Sequence, residues 1–196
     1  YLFFQKSLVL GYDFLNVGCG DNLYKNYVNL DCHGKRSLIT FYSDKIFRWD
    51  LRKKLPFDDN SFKGVYSEHC LEHLNPNDSF NLISEIYRVL KPNGIARIIV
   101  PDAEKYVEYY NRKKVGNDTS DMANFNNWEI GAEALRGLTC FLGHYTLYDY
   151  ELLEASCKEI GFSTVRQCTH RGSKIRNLNK DDPGRVWNSL YVEAMK

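Results

Sequence analysis

The chain has 196 residues, of which 43% are hydrophobic and 26% charged, so it can bury a core as one globular domain. Its 26 basic and 25 acidic residues leave a net charge of +1. This balance argues against a nucleic-acid partner, because proteins that bind nucleic acids usually carry a clear basic excess.

Two features of the chain predict its compartment. The apolar start at residues 1–6 is too short for a signal peptide or a spanning helix, and no other segment has the necessary apolar run. The six cysteines include no C-x-x-C pair and show no disulfide framework, so we expect free thiols in a reducing compartment. We therefore predict a cytoplasmic protein without membrane insertion.

Strand-like and helix-like segments alternate along the chain, which is typical of a parallel α/β sheet. The predicted strands are 12–17, 27–31, 46–50, 62–67, 95–100, 162–168 and 189–194. A helix is predicted over 78–91, capped by Asn77 or Asp78 and stopped by residues 91–94. A second helix is predicted over 149–160, where Gly161 suits a left-handed C-cap.

The first predicted strand leads into the turn 18–20, which has glycine at both ends. Such a turn lets backbone N–H groups approach a ligand where a side chain would collide. Asp31 ends the second strand and Asp50 the third, and these strand ends face one crevice in a doubly wound sheet. Since an acid at the end of the second strand can accept both hydroxyls of a ribose, we predict a ligand site at this edge.

The connection between the first two strands is short. A dinucleotide fingerprint needs roughly 20 residues before its acid and a third glycine, whereas Asp21 and Asn22 follow Gly20 directly. The helix after the first strand is therefore predicted to be about one turn long or missing. This argues against a nicotinamide enzyme, which holds a pyrophosphate at that helix N-terminus.

Six short motifs occur in a fixed order: Asn16–Gly20, Asn29–Asp31, Trp49–Leu51, Leu55–Phe62, Ser67–Leu74 and Glu85–Gly94. Together with looser matches at His144–Phe162 and Ser189–Met195, this set resembles the class I S-adenosylmethionine-dependent methyltransferases. Within that class it is most similar to type 11-like domains of a small bacterial group, often encoded with surface-polysaccharide and glycosyl-transfer enzymes. One departure is Asn16, which stands where the family usually has an acid.

The resemblance implies a Rossmann-like, doubly wound, mostly parallel seven-stranded sheet with an antiparallel last strand, and S-adenosylmethionine as the cofactor. It implies that Asn16, Val17, Gly18, Cys19 and Gly20 surround the amino-acid portion of the cofactor. Asp31 would bind the ribose hydroxyls, and Asp50 with the backbone of Leu51 would contact the adenine. Glu68 and His69, at the end of the fourth strand, would face the reacting methyl group and the acceptor.

Residues 103–147 follow the fifth strand, are rich in tyrosine and lack a sheet-like period. Long irregular connections in compact domains usually carry function. We predict one methyltransferase domain over 1–196, in which 103–147 is an insertion that forms a lid or wall over the acceptor site.

Two histidines are candidates for a catalytic base, because a neutral imidazole can take a proton from a hydroxyl near physiological pH. These are His69 and His144; a hydrogen-bonded loop histidine is the alternative for His144. His69 and His73 would share one helix face, but the order is not H-E-x-x-H and no third ligand is evident, so no metal site is predicted.

The predicted reaction is methyl transfer to an O or N atom of a small-molecule or sugar-containing acceptor. One alternative is a non-catalytic protein that retains the cofactor pocket. Another is an RNA or protein methyltransferase, disfavoured by the charge balance and by Ser67-Glu68-His69-Cys70, which stands where an amine-methylating (Asn/Asp)-Pro-Pro-Tyr-like motif would lie. The basic residues between 166 and 176 form either a solvated surface or a site for a substrate phosphate.

Overall fold

The computed structural model describes residues 11–32, 46–122, 128–141 and 143–196. Seven strands form one sheet in the order β3-β2-β1-β4-β5-β7-β6. The strands are β1 (Phe14–Val17), β2 (Tyr27–Asp31), β3 (Ile46–Arg48), β4 (Phe62–Glu68), β5 (Leu90–Pro101), β6 (Thr164–Cys168) and β7 (Ser189–Met195). The first five run parallel, and β7 is antiparallel to both of its neighbours. The predicted Rossmann-like sheet with an antiparallel last strand is confirmed.

The described helices are α1 (Pro76–Val89), α2 (Ala103–Lys114), α3 (Gly131–Arg136) and α4 (Tyr150–Ile160). The second predicted helix is confirmed closely in α4. The Asp149 side chain accepts a hydrogen bond from the Leu152 N–H at 2.8 Å, and Gly161 takes the left-handed conformation with φ of 116°. A left-handed backbone of this kind favours glycine, as the sequence indicated at this position.

The predicted bounds of the first helix, 78–91, are wrong at both ends. The N-cap is Asn75, whose Oδ1 accepts a hydrogen bond from the Asp78 N–H at 2.9 Å, and Pro76 occupies the first helical position. At the other end Leu90 already belongs to β5 and pairs with Phe62. Because Pro92 disfavours a helical conformation of the residue before it, the chain becomes extended ahead of the predicted stop at 91–94.

Some strand bounds also differ from prediction. The strand expected to end at Asp50 ends at Arg48, and the one expected from residue 162 begins at Thr164. Between β1 and β2 the chain forms turns and no helix, as the short spacing predicted. Three contacts hold this connection: the Asn16 amide donates to Asn22 O and to Asn29 Oδ1, which also accepts from the Tyr24 N–H.

The main core lies between the sheet and helices α1 and α4, and the central strands are buried on both faces, as parallel strands generally are. A second cluster on the sheet is rich in tyrosine and includes Tyr27, Tyr66 and Tyr191. A third cluster joins α2 to α3 through Tyr106, Tyr109 and other buried residues. The segment after β5 thus has a small core of its own.

All six cysteines are free thiols, and those at 19, 70 and 157 are buried. In the part of the chain that the structure describes, no helix has the length and apolar character needed to cross a membrane.

Candidate functional site

A cavity of about 870 Å³ lies at the carboxyl ends of strands β1 to β4. Its volume falls within the range usual for small-molecule sites. Its lining includes Gly18, Gly20, Asp31, Asp50, Leu51 and Arg52 from the ends of β1 to β3, and His69, Cys70, His73, Leu74, Gly143 and Tyr145 from the segments after β4 and before α4. Ligands of open α/β sheets bind at this position, outside the carboxyl ends of the strands.

The two glycines of the turn after β1 have left-handed backbones, with φ of 69° at Gly18 and 50° at Gly20. A Cβ built on Gly18 would lie 2.3 Å from Cys70 Sγ, whereas one built on Gly20 would meet no heavy atom within 4 Å. Gly18 is therefore required for packing of the turn against Cys70. Gly20 leaves open space in the cavity wall, and the sequence alone did not separate these two roles.

Asp31 is 8% exposed and ends β2 beside this turn. Its Oδ2 accepts a hydrogen bond from the Gly20 N–H at 2.8 Å. The carboxylate therefore orders the glycine turn as well as facing the cavity. The ribose role predicted for Asp31 did not anticipate this second contact.

Three other residues predicted at the cofactor lie outside the cavity lining. The Asn16 side chain is used in the connection between β1 and β2, and Val17 is fully buried in the core. Cys19 is 4% exposed, and burial raises the pKa of its thiol to about 12. Their side chains position the turn that lines the cavity. Their backbone atoms, rather than their side chains, would therefore lie near a ligand.

Asp50 and Leu51 lie in the wall next to β3. Arg52 donates from Nε and Nη2 to the two Asp50 carboxylate oxygens at 2.8 and 2.9 Å. These hydrogen bonds lower the pKa of Asp50 to about 2. Arg52 was not predicted from the sequence, where its spacing of two residues from Asp50 was the only signal.

Glu68 does not line the cavity, although the sequence placed it at the reacting methyl group. Its carboxylate accepts hydrogen bonds from the Tyr66 hydroxyl and the Asp182 N–H, both at 2.9 Å. Glu68 thereby joins the end of β4 to the segment that precedes β7.

His69 does line the cavity, and its side chain is 7% exposed. Its backbone is left-handed, with φ of 49°. Nε2 lies 2.8 Å from Ser189 Oγ, and Nδ1 lies 3.1 Å from Glu72 Oε1. The imidazole is thus held between a hydroxyl and a buried carboxylate.

His144 is 9% exposed and lies behind the cavity wall rather than in it, while its neighbours Gly143 and Tyr145 line the cavity. Its Nδ1 donates to Leu138 O at 2.6 Å, and its ring packs edge-on against His73 with centroids 4.9 Å apart. Burial lowers the pKa of this imidazole. The end of the segment 103–147 therefore contributes to the cavity wall.

The expectation that His69 and His73 share one helix face is wrong. Only Leu71–His73 form a helical turn, of 3₁₀ type, and the left-handed His69 precedes it. Between the two histidines lies Glu72, which was not predicted from the sequence as a site residue. It is 1% exposed, and among the described residues neither of its carboxylate oxygens has a partner in hydrogen-bond geometry.

The basic residues between 166 and 176 do not line this cavity. Arg166 forms an ion pair with Glu193 of β7. One positive charge of this basic group is therefore paired within the sheet.

Comparisons with known proteins agree with this geometry. Residues 15–98, a little under half of the chain, match a family model described as a methyltransferase domain. No curated protein matches the chain. The match covers β1 to most of β5, which includes the glycine turn, Asp31, Asp50 and His69.

Three solved structures share the fold. An S-adenosylmethionine-dependent methyltransferase from Archaeoglobus fulgidus is 17% identical with a TM-score of 0.57, over 100% of this chain and 92% of that one. Another from Thermotoga maritima is 14% identical with a TM-score of 0.55, over 98% and 89%. Phosphoethanolamine N-methyltransferase 2 from Haemonchus contortus, in complex with S-adenosyl-L-methionine, is 17% identical with a TM-score of 0.50, over 98% and 52%. At these identities the likeness shows the fold alone.

Residues 15–98 and the fold of the chain are thus similar to those of S-adenosylmethionine-dependent methyltransferases, whose cofactor is S-adenosylmethionine. The cavity fits that group: it has the volume for a small molecule, an open glycine turn and a buried carboxylate at the end of β2.

Proposed function

We propose that this chain transfers the methyl group of S-adenosylmethionine to an oxygen or nitrogen atom of a small-molecule or sugar-containing acceptor. The observation that carries the proposal is that Gly20, Asp31 and His69 line one cavity of about 870 Å³. A donor held on the β1–β3 side and an acceptor on the His69 side would then meet within a single pocket.

On the donor side, the open space at Gly20 would receive the amino-acid portion of the cofactor, and Asp31 would accept hydrogen bonds from the ribose hydroxyls. Leu51 and Trp49 offer apolar surface for the adenine beside the Asp50–Arg52 pair. Because the pair already satisfies the Asp50 carboxylate, adenine recognition would depend more on Leu51 and its backbone than on the Asp50 charge.

The bound cofactor supplies a methyl group on a positively charged sulfur. The work left to the chain is to hold donor and acceptor in line for displacement and to take a proton from a hydroxyl acceptor. As the acceptor oxygen bonds to the methyl carbon, the carbon–sulfur bond breaks and its electron pair stays on sulfur.

His69 is the base that we propose, because it lines the cavity and His144 does not. With its Nδ1–H toward Glu72, the lone pair of His69 would lie on Nε2, 2.8 Å from Ser189 Oγ. When Nε2 takes the acceptor proton, the Ser189 hydroxyl can turn to Asn188 Oδ1, 3.3 Å away. The Glu72 carboxylate stabilises the imidazolium that forms.

The segment 103–147 is proposed as part of the acceptor wall through Gly143 and Tyr145. The rival functions make different predictions in an assay. A non-catalytic relative would bind S-adenosylhomocysteine but transfer no methyl group to any acceptor. An RNA or protein methyltransferase would accept polymers, which the net charge of +1 disfavours.

Replacing Asp31 with alanine is expected to weaken S-adenosylhomocysteine binding by about 2–3 kcal/mol, because hydrogen bonds to a charged acceptor contribute about 1.5–3 kcal/mol each and part is offset by desolvation. The corresponding rise in dissociation constant is roughly thirty- to two-hundredfold. Isothermal titration calorimetry with S-adenosylhomocysteine measures the change directly.

Asp31→Asn is the matched control, since its amide oxygen can still accept from the Gly20 N–H while the charge is lost. It should weaken binding less than Asp31→Ala. A thermal melt of each variant separates binding from folding. Wild-type affinity in a folded Asp31→Ala protein would contradict the placement of the cofactor.

A further inference from the structure

Three side chains that could ligate a metal meet beside the cavity: Glu72, His73 and His144, here called the EHH cluster. One ligand atom from each lies within 4.8 Å of the other two. Glu72 and His73 are neighbours in the 3₁₀ turn after β4, whereas His144 comes from the far end of the segment after β5. The third ligand that the sequence lacked is therefore supplied by tertiary structure.

Glu72 is the observation that points to an ion. The carboxylate is 1% exposed, and within the described residues neither oxygen accepts a hydrogen bond. Its Oε1 lies 3.1 Å from His69 Nδ1. Buried ionised carboxylates are normally paired and hydrogen-bonded or coordinate a metal. With Oε1 next to His69, an ion on the side of the EHH cluster would give the second oxygen, Oε2, a partner.

The Nδ1 atoms of the two histidines of the cluster both contact backbone carbonyls. His144 Nδ1 donates to Leu138 O at 2.6 Å, and His73 Nδ1 lies 3.3 Å from Gly143 O, a group that can only accept. In neutral imidazoles this leaves both lone pairs on Nε2. Metal-ligating histidines almost always fix their other ring N–H in this way, frequently on a backbone carbonyl.

We propose that the EHH cluster binds a divalent transition-metal ion of the zinc type through two imidazole nitrogens and one carboxylate oxygen. This donor set occurs in catalytic zinc sites, which keep a fourth position open. Ligand atoms about 2.0–2.2 Å from a tetrahedral ion are about 3.4 Å apart, so side-chain rotation would close the cluster around it. His73 is exposed and lines the cavity, so the open position would face the cavity.

This site deepens the proposed function and rests on it for the identity of the acceptor. An ion at the EHH cluster would hold an acceptor hydroxyl near His69 and lower its pKa, which makes oxygen the methylated atom. The proton then passes to His69 Nε2, the methyl carbon bonds to oxygen, and the sulfur leaves with the electron pair of the broken bond. The acceptor class would be an alcohol or sugar hydroxyl rather than an amine.

The test uses the full chain, stripped with a chelator and titrated with Zn²⁺ by calorimetry and with Co²⁺ by visible absorption. We expect one ion per chain and the intense absorption of low-symmetry, tetrahedral Co²⁺. His73→Ala should weaken binding by at least about a hundredfold, beyond the range seen for loss of an outer contact. His73 is exposed, so this variant should fold, whereas His144→Ala also removes the contact to Leu138.

His170→Ala is the control, because His170 contacts Asp181 O and the Tyr191 ring away from the cluster and should bind ions like the unchanged chain. Failure of the unchanged chain to bind one ion, or equal binding by His73→Ala, would overturn the metal site. S-adenosylhomocysteine titration of the same stripped sample tests the proposed function separately. Cofactor binding without metal binding overturns this inference alone, and metal binding without cofactor binding overturns the proposed function alone.

Discussion

Replacing His69 with alanine is expected to lower the turnover of methyl transfer by roughly a hundredfold or more, the scale of a lost general base. The imidazole lies in the cavity wall, and Glu72 and Ser189 contact its two ring nitrogens. Because His69 stands on the acceptor side, the affinity for S-adenosylhomocysteine should change little. The measurement is kcat with saturating cofactor beside a calorimetric titration of the same variant.

Two controls separate a base from a structural residue. Added imidazole should restore part of the turnover of His69→Ala, which it cannot do for a misfolded chain. Ser189→Ala keeps the base and removes only its hydroxyl partner, so its turnover should fall less. Equal losses of turnover and cofactor affinity in His69→Ala would remove His69 from the role of base.

His144 provides a further comparison, since the sequence offered it as the other base. His144→Ala should also lower turnover, by roughly a hundredfold if it acts through the EHH cluster or as a base. The two variants differ in their response to metal: excess Zn²⁺ should restore part of the turnover of His144→Ala but none of that of His69→Ala.

Replacing Gly18 with alanine is expected to lower the free energy of unfolding by about 3 kcal/mol or more. The new Cβ would lie 2.3 Å from Cys70 Sγ and 2.4 Å from Cys70 Cβ. Overpacking of this kind costs about 1–3 kcal/mol, and a left-handed backbone costs a non-glycine residue about 1–2 kcal/mol more. Denaturant unfolding measures the change.

Gly20→Ala is the matched control, with a similar φ of 50° but no heavy atom within 4 Å of the new Cβ. It should lose only the backbone part of the stability, about 1–2 kcal/mol, while its cofactor affinity falls because Gly20 lines the cavity. Equal stability of the two variants would show that Cys70 moves away from the new Cβ without lowering the free energy of unfolding.

Local patterns were sufficient to predict the strand segments and part of the candidate site, whereas the seven-stranded sheet with its antiparallel last strand followed from the family resemblance. The bounds of β2, the glycine turn and the absence of a helix before Asp31 all follow from residues close together in the chain. The ends of α1 were harder to predict from the sequence. At its start, Asn75, Asn77 and Asp78 are all acceptable caps. At its end, the pairing of Leu90 with Phe62 decides where the helix stops.

The EHH cluster could not be predicted for a different reason. Glu72 and His73 lie within a recognised motif, but His144 reaches them only through the packing of the segment after β5. The bridge between Asp102 and Tyr148 fixes where that segment returns to the sheet. Contacts between residues so far apart in the sequence leave no local pattern of residues from which they could be predicted.

The short connection between β1 and β2 has a consequence for how the chain folds. Parallel neighbours normally require a crossover of a dozen or more residues, usually with a helix, whereas here residues 18–26 suffice. Closing a short loop loses less chain entropy than closing a long one, so β1 and β2 pair at a smaller entropic cost than strands joined by a long connection. The hydrogen bond between the side-chain amides of Asn16 and Asn29 stabilises the loop once it has closed. The β1–β2 pair, which carries the glycine turn, is thus local enough in sequence to form early, ahead of the distant pairing of β5 with β7.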